Sequence, residues 1–241
     1  MKARQLHGWD LNVREAMELQ RHLAAQVSTA NEIKEPRFIA GVDISAPDRT
    51  GVAKGAAVVV TYPGLELEDC SVVEAVVEFP YIPGLLSFRE SPLVISALEG
   101  LSVDPDLVMV DGQGLAHPRR FGIACHLGLF FEVPTIGCAK SRLCGSHAAP
   151  ENRRGAYAEL TDGPEVIGAA LRTKVDTNPI YVSIGHMIDL DAAVRWTLEC
   201  CRGYRVPEPT RYAHLAAGGQ LKTRPRPGER GRQLSLLDPP S

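Results

Sequence analysis

The 241-residue chain is 44% hydrophobic and 23% charged, ordinary proportions for a soluble globular protein and enough length for one large domain plus a tail. A formal charge of −3 excludes a protein that coats nucleic acid through bulk attraction, while leaving room for local basic groups that touch phosphates. No run of about 18 apolar residues occurs and residues 1–10 lack a signal-peptide core, so the expectation is a cytoplasmic protein with no membrane span. The six cysteines show no Cys-x-x-Cys spacing and read as reduced, mostly buried small apolar residues.

In chain order, Val13, Met17, Leu23, Ala24 and Val27 recur near helical spacing and predict a helix over 12–28. Residues 38–44 read as a strand. Two further β-rich runs, 55–61 and 70–79, flank the turn signal Tyr62-Pro63-Gly64, and the three together predict an antiparallel meander. Residues 87–98 read as a helix with Pro92 in its first turn. A short buried strand over 106–111, a helix over 119–131 and a strand over 134–139 follow. Residues 166–173 and 180–184 predict a later strand pair, and Asp189 a cap for a helix over 190–201. Strands first and helix–strand alternation afterwards argue for an α/β fold around a mixed sheet. From Gly218 the chain turns polar and rich in Gly and Pro, so 1–217 reads as the domain and 218–241 as a disordered basic tail.

Asp43 interrupts one apolar strand and Asp111 ends another, and a buried ionised carboxylate needs a metal or hydrogen bonds to compensate it. For either residue alone a strand-end turn or helix cap is the plainer account. Glu90 stands near the start of a helix, where favourable interaction with the helix dipole would also explain it. Two aspartates from strands and a glutamate from a helix could converge on magnesium, which favours hard oxygen ligands; spacing alone does not show that they do.

More specific are Pro80-Tyr81-Ile82-Pro83-Gly84-Leu85-Leu86-Ser87-Phe88-Arg89-Glu90 and the run Asp111-Gly112-Gln113-Gly114-Leu115-Ala116-His117-Pro118-Arg119-Arg120-Phe121-Gly122. Preceded by Gly41-Val42-Asp43 and followed by Gly137-Cys138-Ala139-Lys140-Ser141, they closely resemble, in type and order, the endonuclease V family of repair nucleases, over about residues 10–217. The resemblance implies a ribonuclease H-like fold with a central mixed sheet flanked by helices. It also implies hydrolysis of the second phosphodiester bond 3′ to inosine, leaving a 3′-hydroxyl and a 5′-phosphate. By that resemblance Asp43, Glu90 and Asp111 hold Mg2+, for which Mn2+ would substitute. Lys140 becomes an active-site lysine beside the scissile phosphate, and His214 a histidine near the catalytic centre.

Pro80 and Pro83 stiffen the backbone around Tyr81, so that an exposed aromatic could wedge into a base stack; a core tyrosine is the alternative. The resemblance favours the wedge, formed by Pro80, Tyr81, Ile82 and Pro83, with main-chain groups near Gly84, Leu86, Gly112 and Gly122 lining a pocket for the flipped base. Arg89, His117, Arg119 and Arg120 are candidate nucleic-acid contacts, each open also to a structural or surface role. In the tail, Gln233-Leu234-Ser235-Leu236-Leu237 is an apolar island that resembles the peptide by which bacterial repair proteins bind the sliding clamp. That expectation requires a chain truncated at Arg232 to lose clamp binding while still nicking short oligonucleotides. Two other readings stay open. One is an inosine-specific endoribonuclease, since RNA is told from DNA by a 2′-hydroxyl contact that no residue here reveals. The other is a non-cleaving inosine binder, which would need pocket and wedge but not the carboxylates.

Overall fold

Neighbouring β-rich runs joined by short turns pair most readily with each other. In the computed structural model, which describes residues 1–221, they do. Strands β1 (Phe38–Ile44), β2 (Val52–Thr61) and β3 (Leu67–Val76) form an antiparallel meander. Both β2 and β3 begin earlier than their β-rich runs suggest. At the β1–β2 turn the Val52 N–H donates to Asp48 Oδ1 at 3.1 Å and the Ser45 N–H to the Lys54 carbonyl at 2.9 Å, so β2 pairs from Val52. At the β2–β3 turn Leu65 takes the left-handed conformation, and its N–H donates to the Thr61 carbonyl at 2.7 Å, so pairing resumes by Leu67.

After helix α2 (Leu86–Glu99), strand β4 (Leu107–Val110) lies parallel to β1, and after helix α3 (Ile123–Phe131), β5 (Thr135–Ala139) lies parallel to β4. Strands β6 (Tyr157–Asp162), β7 (Glu165–Leu171) and β8 (Ile180–His186) complete one eight-stranded sheet in the order β3-β2-β1-β4-β5-β8-β7-β6. Because strand residues alternate between faces, Ala40, Val42, Val108 and Val110 meet Val94 and Ala97 of α2 and Ile123 and Leu127 of α3. The opposite residues, Ile39, Met109, Ile136 and Val182, meet Ala193 and Trp196 of helix α4 (Leu190–Glu199). On that same face Ala56 and Val58 meet Ala213 and Ala216 of helix α5 (Glu208–Ala217). The product is a helix–sheet–helix sandwich, with helix α1 (Val13–Ala24) laid against α2 and α3.

Several expectations need correction. Pro92 sits well inside α2 instead of in its first turn; the helix keeps it because Leu93, Val94, Ala97 and Leu98 are buried, which offsets a cost of roughly 3 kcal/mol for an interior proline. Arg119 and Arg120 precede α3, since Arg120 is left-handed (φ 53°) and the helix starts after Gly122. Helix α1 is capped by Asn12 and Glu15 and buries Ala16, Gln20 and Leu23, while Val13 faces solvent. Strand β6 and helix α5 were not foreseen, although Asp162-Gly163 marks the β6–β7 hairpin and prolines 207 and 209 mark the start of α5. Asp189 does cap α4, accepting the Ala192 N–H at 2.7 Å. The basic residues of the tail and the motif Gln233–Leu237 lie outside the described residues.

Candidate active site

Val42 and Val110 are partners in the parallel β1–β4 ladder, so the next residue on each strand, Asp43 and Asp111, stands side by side at the strands' carboxyl ends. Both side chains are largely buried, at 11% and 13% exposure. Adjacent strands lie about 4.8 Å apart, which leaves two carboxylates little room to avoid each other. Glu90, in the first half of α2, approaches the same edge from the opposite face. Burial first, then the charges of Asp43 and Asp111, push its carboxyl up to about 8. Asp43 is also raised, by burial first and then by Asp111, with a hydrogen bond from His214 working against them.

The histidine arrives because Gly41 has no side chain. Gly41 and Asp43 share a face of β1, and a Cβ on Gly41 would stand 2.0 Å from the Pro209 carbonyl carbon, so only glycine lets α5 cross there. Helix α5 thereby places His214 Nδ1 at 2.8 Å from Asp43 Oδ2. With Nδ1–H donating to the carboxylate, Nε2 of the neutral ring is left as an acceptor on a side chain that is 65% exposed. Lys140, the residue after β5, donates from Nζ to Asp111 Oδ2. Among the described residues no three histidine, cysteine or acidic side chains are gathered to metal-ligating distance as they stand, with Asp111 turned to Lys140 and Asp43 to His214. The donor chemistry nonetheless fits a hard divalent cation. All three acids offer oxygen, and the raised Glu90 keeps a proton where a positive charge would compensate the cluster.

Asp111 and Lys140 also line a cleft of about 360 Å3. One wall is the segment 81–87, with Tyr81 70% exposed at the mouth, Pro80 and Pro83 exposed, and Ile82 half-buried against Ala16, Leu85 and Phe88. Gly84 and Leu86 belong to this wall, and Gly112 and Gly122 to the facing one. Gly84 is left-handed (φ 81°), and its carbonyl accepts three hydrogen bonds: Gln20 Nε2 at 3.0 Å, His117 Nε2 at 2.9 Å and Arg119 Nη2 at 2.6 Å. His117 Nδ1 accepts the Arg119 N–H at 3.1 Å, so both ring nitrogens are committed in the neutral form. Burial and then the charge of Arg119 push its pKa down to about 4. Fully buried Gln20 also donates to the Phe121 carbonyl at 3.0 Å and accepts from Arg119 Nε, which ties the two walls together.

Sequence reading missed Gln20, because a glutamine in an amphipathic helix reads as surface; its one signal is its place on the Ala16–Leu23 stripe. The three arginines singled out from sequence are engaged within the protein: Arg89 on the Phe79 carbonyl, Arg119 as described, and Arg120 on Asp162 (3.0 Å) and Glu165 (2.8 Å).

A family model described as Endonuclease V matches residues 21–215. The chain is 48% identical to an Endonuclease V of Dehalococcoides mccartyi over 90% of its own length and 97% of that protein's. Among solved structures it is similar to the Endonuclease V of Streptomyces avermitilis, with a TM-score of 0.84 and 39% identity, covering 91% of this chain and 97% of that one. It also shares the fold of the Ciona intestinalis Endonuclease V, solved in complex with a 24mer DNA containing an inosine followed by a ribo-adenosine. There the TM-score is 0.74 at 23% identity, over 86% and 97% of the two chains. The fold is thus the ribonuclease H-like nuclease fold of these structures. With a family model spanning most of the domain and a relative nearly half identical over almost its whole length, this chain belongs to the endonuclease V family, a family of phosphodiester-cleaving nucleases.

Proposed function

We propose that the protein nicks inosine-containing DNA at the second phosphodiester bond 3′ to the lesion, with Mg2+ as cofactor and Mn2+ able to substitute, leaving a 3′-hydroxyl and a 5′-phosphate. The observation that carries this reading is that Asp111, which stands beside Asp43 in the carboxylate cluster, also lines a base-sized cleft together with Lys140, with Tyr81 exposed at the mouth. Asp43, Glu90 and Asp111 would hold the metal, which would supply an activated water and charge neutralisation at the phosphate. Lys140 places its ammonium beside that phosphate, where negative charge grows in the transition state. His214, oriented by Asp43, turns its free Nε2 outward, where it would accept a hydrogen bond from water and, having taken that water's proton, give it to the leaving oxygen.

In this reading Tyr81 fills the gap left when the base turns out of the stack, and hypoxanthine enters the cleft between the main chain of 84–86 and that of 112 and 122. The relative bound to inosine-containing DNA supports the substrate class. No helix among the described residues is long and apolar enough to cross a membrane, in keeping with work in the cytoplasm.

End-labelled oligonucleotides with one inosine, in DNA and RNA versions, test the proposal with Mg2+ or chelator and with Asp43→Ala alongside. The expected outcome is a Mg2+-dependent nick between the lesion's 3′ neighbour and the nucleotide after it, faster in DNA and absent in the variant. Faster cutting of RNA would replace DNA repair with an endoribonuclease, and tight inosine-dependent binding without a nick would make the protein a binder.

A further inference from the structure

In a chain of net charge −3, one depression has cations and no acid in its walls. It measures about 470 Å3 and meets the base cleft along Lys140, Ser141 and Arg142, which line both. Its other walls carry Arg172, Arg205 and His147, and neither Asp nor Glu lines it.

The two inner arginines are held by main-chain carbonyls and not by carboxylates. Arg120 and Arg211 are neutralised by carboxylates. Arg172 instead donates to the carbonyls of Glu151 (2.9 Å), Pro150 (3.2 Å) and Thr177. Arg205 donates to those of Asn178 (2.8 Å), Lys140 (2.6 Å) and Pro179 (2.9 Å). Neither forms an ion pair among the described residues. Carbonyls orient a guanidinium but leave its charge intact, and a guanidinium has five N–H donors, more than each spends here. Two fixed positive charges therefore face one depression with donors to spare, and an exposed Arg142 stands at its rim. Planar forks with unspent donors suit phosphate oxygens.

The position decides which phosphates. Arg205 is bonded to the main-chain carbonyl of Lys140 itself, so the depression begins where the scissile phosphate would lie and extends away from the base cleft. Phosphates along one strand recur about every 3.4 Å of helix axis, so the strand beyond the cut reaches the depression within one or two nucleotides. We propose that Arg142, Arg172 and Arg205 form a cradle for the backbone phosphates of the cleaved strand on the 3′ side of the cut. This rests on the functional reading above, in which the base cleft takes the lesion and Lys140 the scissile phosphate. The cradle holds that strand in line while the bond is broken, and afterwards holds the strand bearing the new 5′-phosphate.

Steady-state nicking of two single-inosine DNA strands tests it: one ends a single nucleotide past the scissile bond, the other continues five nucleotides further. The full-length protein is expected to show a KM about tenfold lower for the long strand, with kcat within twofold and the advantage shrinking as salt rises. Arg142→Glu, a surface change that threatens no packing, should raise the KM of the long strand several-fold more than that of the short one. Inorganic phosphate should compete with the long strand more strongly than with the short. Equal KM for both lengths in the unaltered protein overturns the cradle, as does an Arg142→Glu penalty independent of length. Phosphate competing equally with both would mark a loose-anion site and overturn the strand assignment. Failure to cut either strand in an inosine-dependent way would instead remove the functional reading beneath it.

Discussion

Three donors on one carbonyl oxygen exceed what its two lone pairs ordinarily take, and at Gly84 they come from two distant parts of the chain, Gln20 of α1 and the 117–119 loop through His117 and Arg119. The Tyr81 segment is thereby held from its inner end, so in the proposed function Gln20 is a positioning residue that acts through the loop it holds. Gln20→Glu would keep an acceptor for Arg119 but remove both donated bonds and set a carboxylate against two carbonyls. The expected result is at least a tenfold rise in KM for inosine DNA, with kcat changed less and the preference over undamaged DNA reduced. A uniform loss of activity in step with a lower Tm would instead show that Gln20 only supports the fold. Asp43 and Asp111 were legible in the sequence because a charged residue at the end of an apolar strand is costly without a function. Gln20 was not, because what makes it unusual is burial, and burial belongs to the neighbours.

At the scale of elements, two strands and α2 deliver the acidic cluster and α5 brings the histidine that pairs with Asp43, and the approach of α5 is the least visible part of that assembly. A Cβ at position 41 would stand 2.0 Å from both the carbon and the oxygen of the Pro209 carbonyl, main-chain atoms that cannot swing away. Gly41→Ala should therefore lift α5 off β1, cost roughly 1–3 kcal/mol as an overpacked contact, and lower Tm by several degrees. It should also slow nicking more than His214→Ala, because the whole helix moves and the partner of Asp43 leaves with it. An unchanged Tm and rate would mean that the two elements are not locked together. The glycine itself was readable in Gly41-Val42-Asp43; that it makes room for a helix more than 160 residues later was not.

Across the whole molecule, the N-terminal segment is fastened to α3 by a pair of histidines. His7 Nδ1–H donates to the Gly8 carbonyl at 2.7 Å, so the bare His7 Nε2 accepts from His126 Nε2–H at 2.7 Å. Among the described residues His126 Nδ1 is left buried without a partner. Both pKa values lie below the ordinary 6.5, through burial first; for His126, which is wholly buried, the shift is large. The unfolded chain thus binds more protons than the folded one below pH 6.5, so this contribution to stability is complete above 6.5 and is lost as pH falls beneath it. Denaturant titrations at pH 7.5 and 5.5 should show the loss of stability between them shrink by on the order of 1 kcal/mol in His126→Phe, which keeps the aromatic packing and removes the proton site. An identical drop in both proteins would acquit this pair.

By itself the sequence determined the class of fold, since strand and helix periodicities are local, and it marked the chemistry, since acids, glycines and prolines stand out where an apolar pattern breaks. The tertiary structure decided the rest. It set Asp43 beside Asp111 through strand register, tied the two walls of the cleft together through a buried glutamine, and gathered arginines distant in sequence around one depression with no acid in its walls. Each of these depends on which surfaces meet, and contact between distant segments is a property of packing that no local pattern encodes.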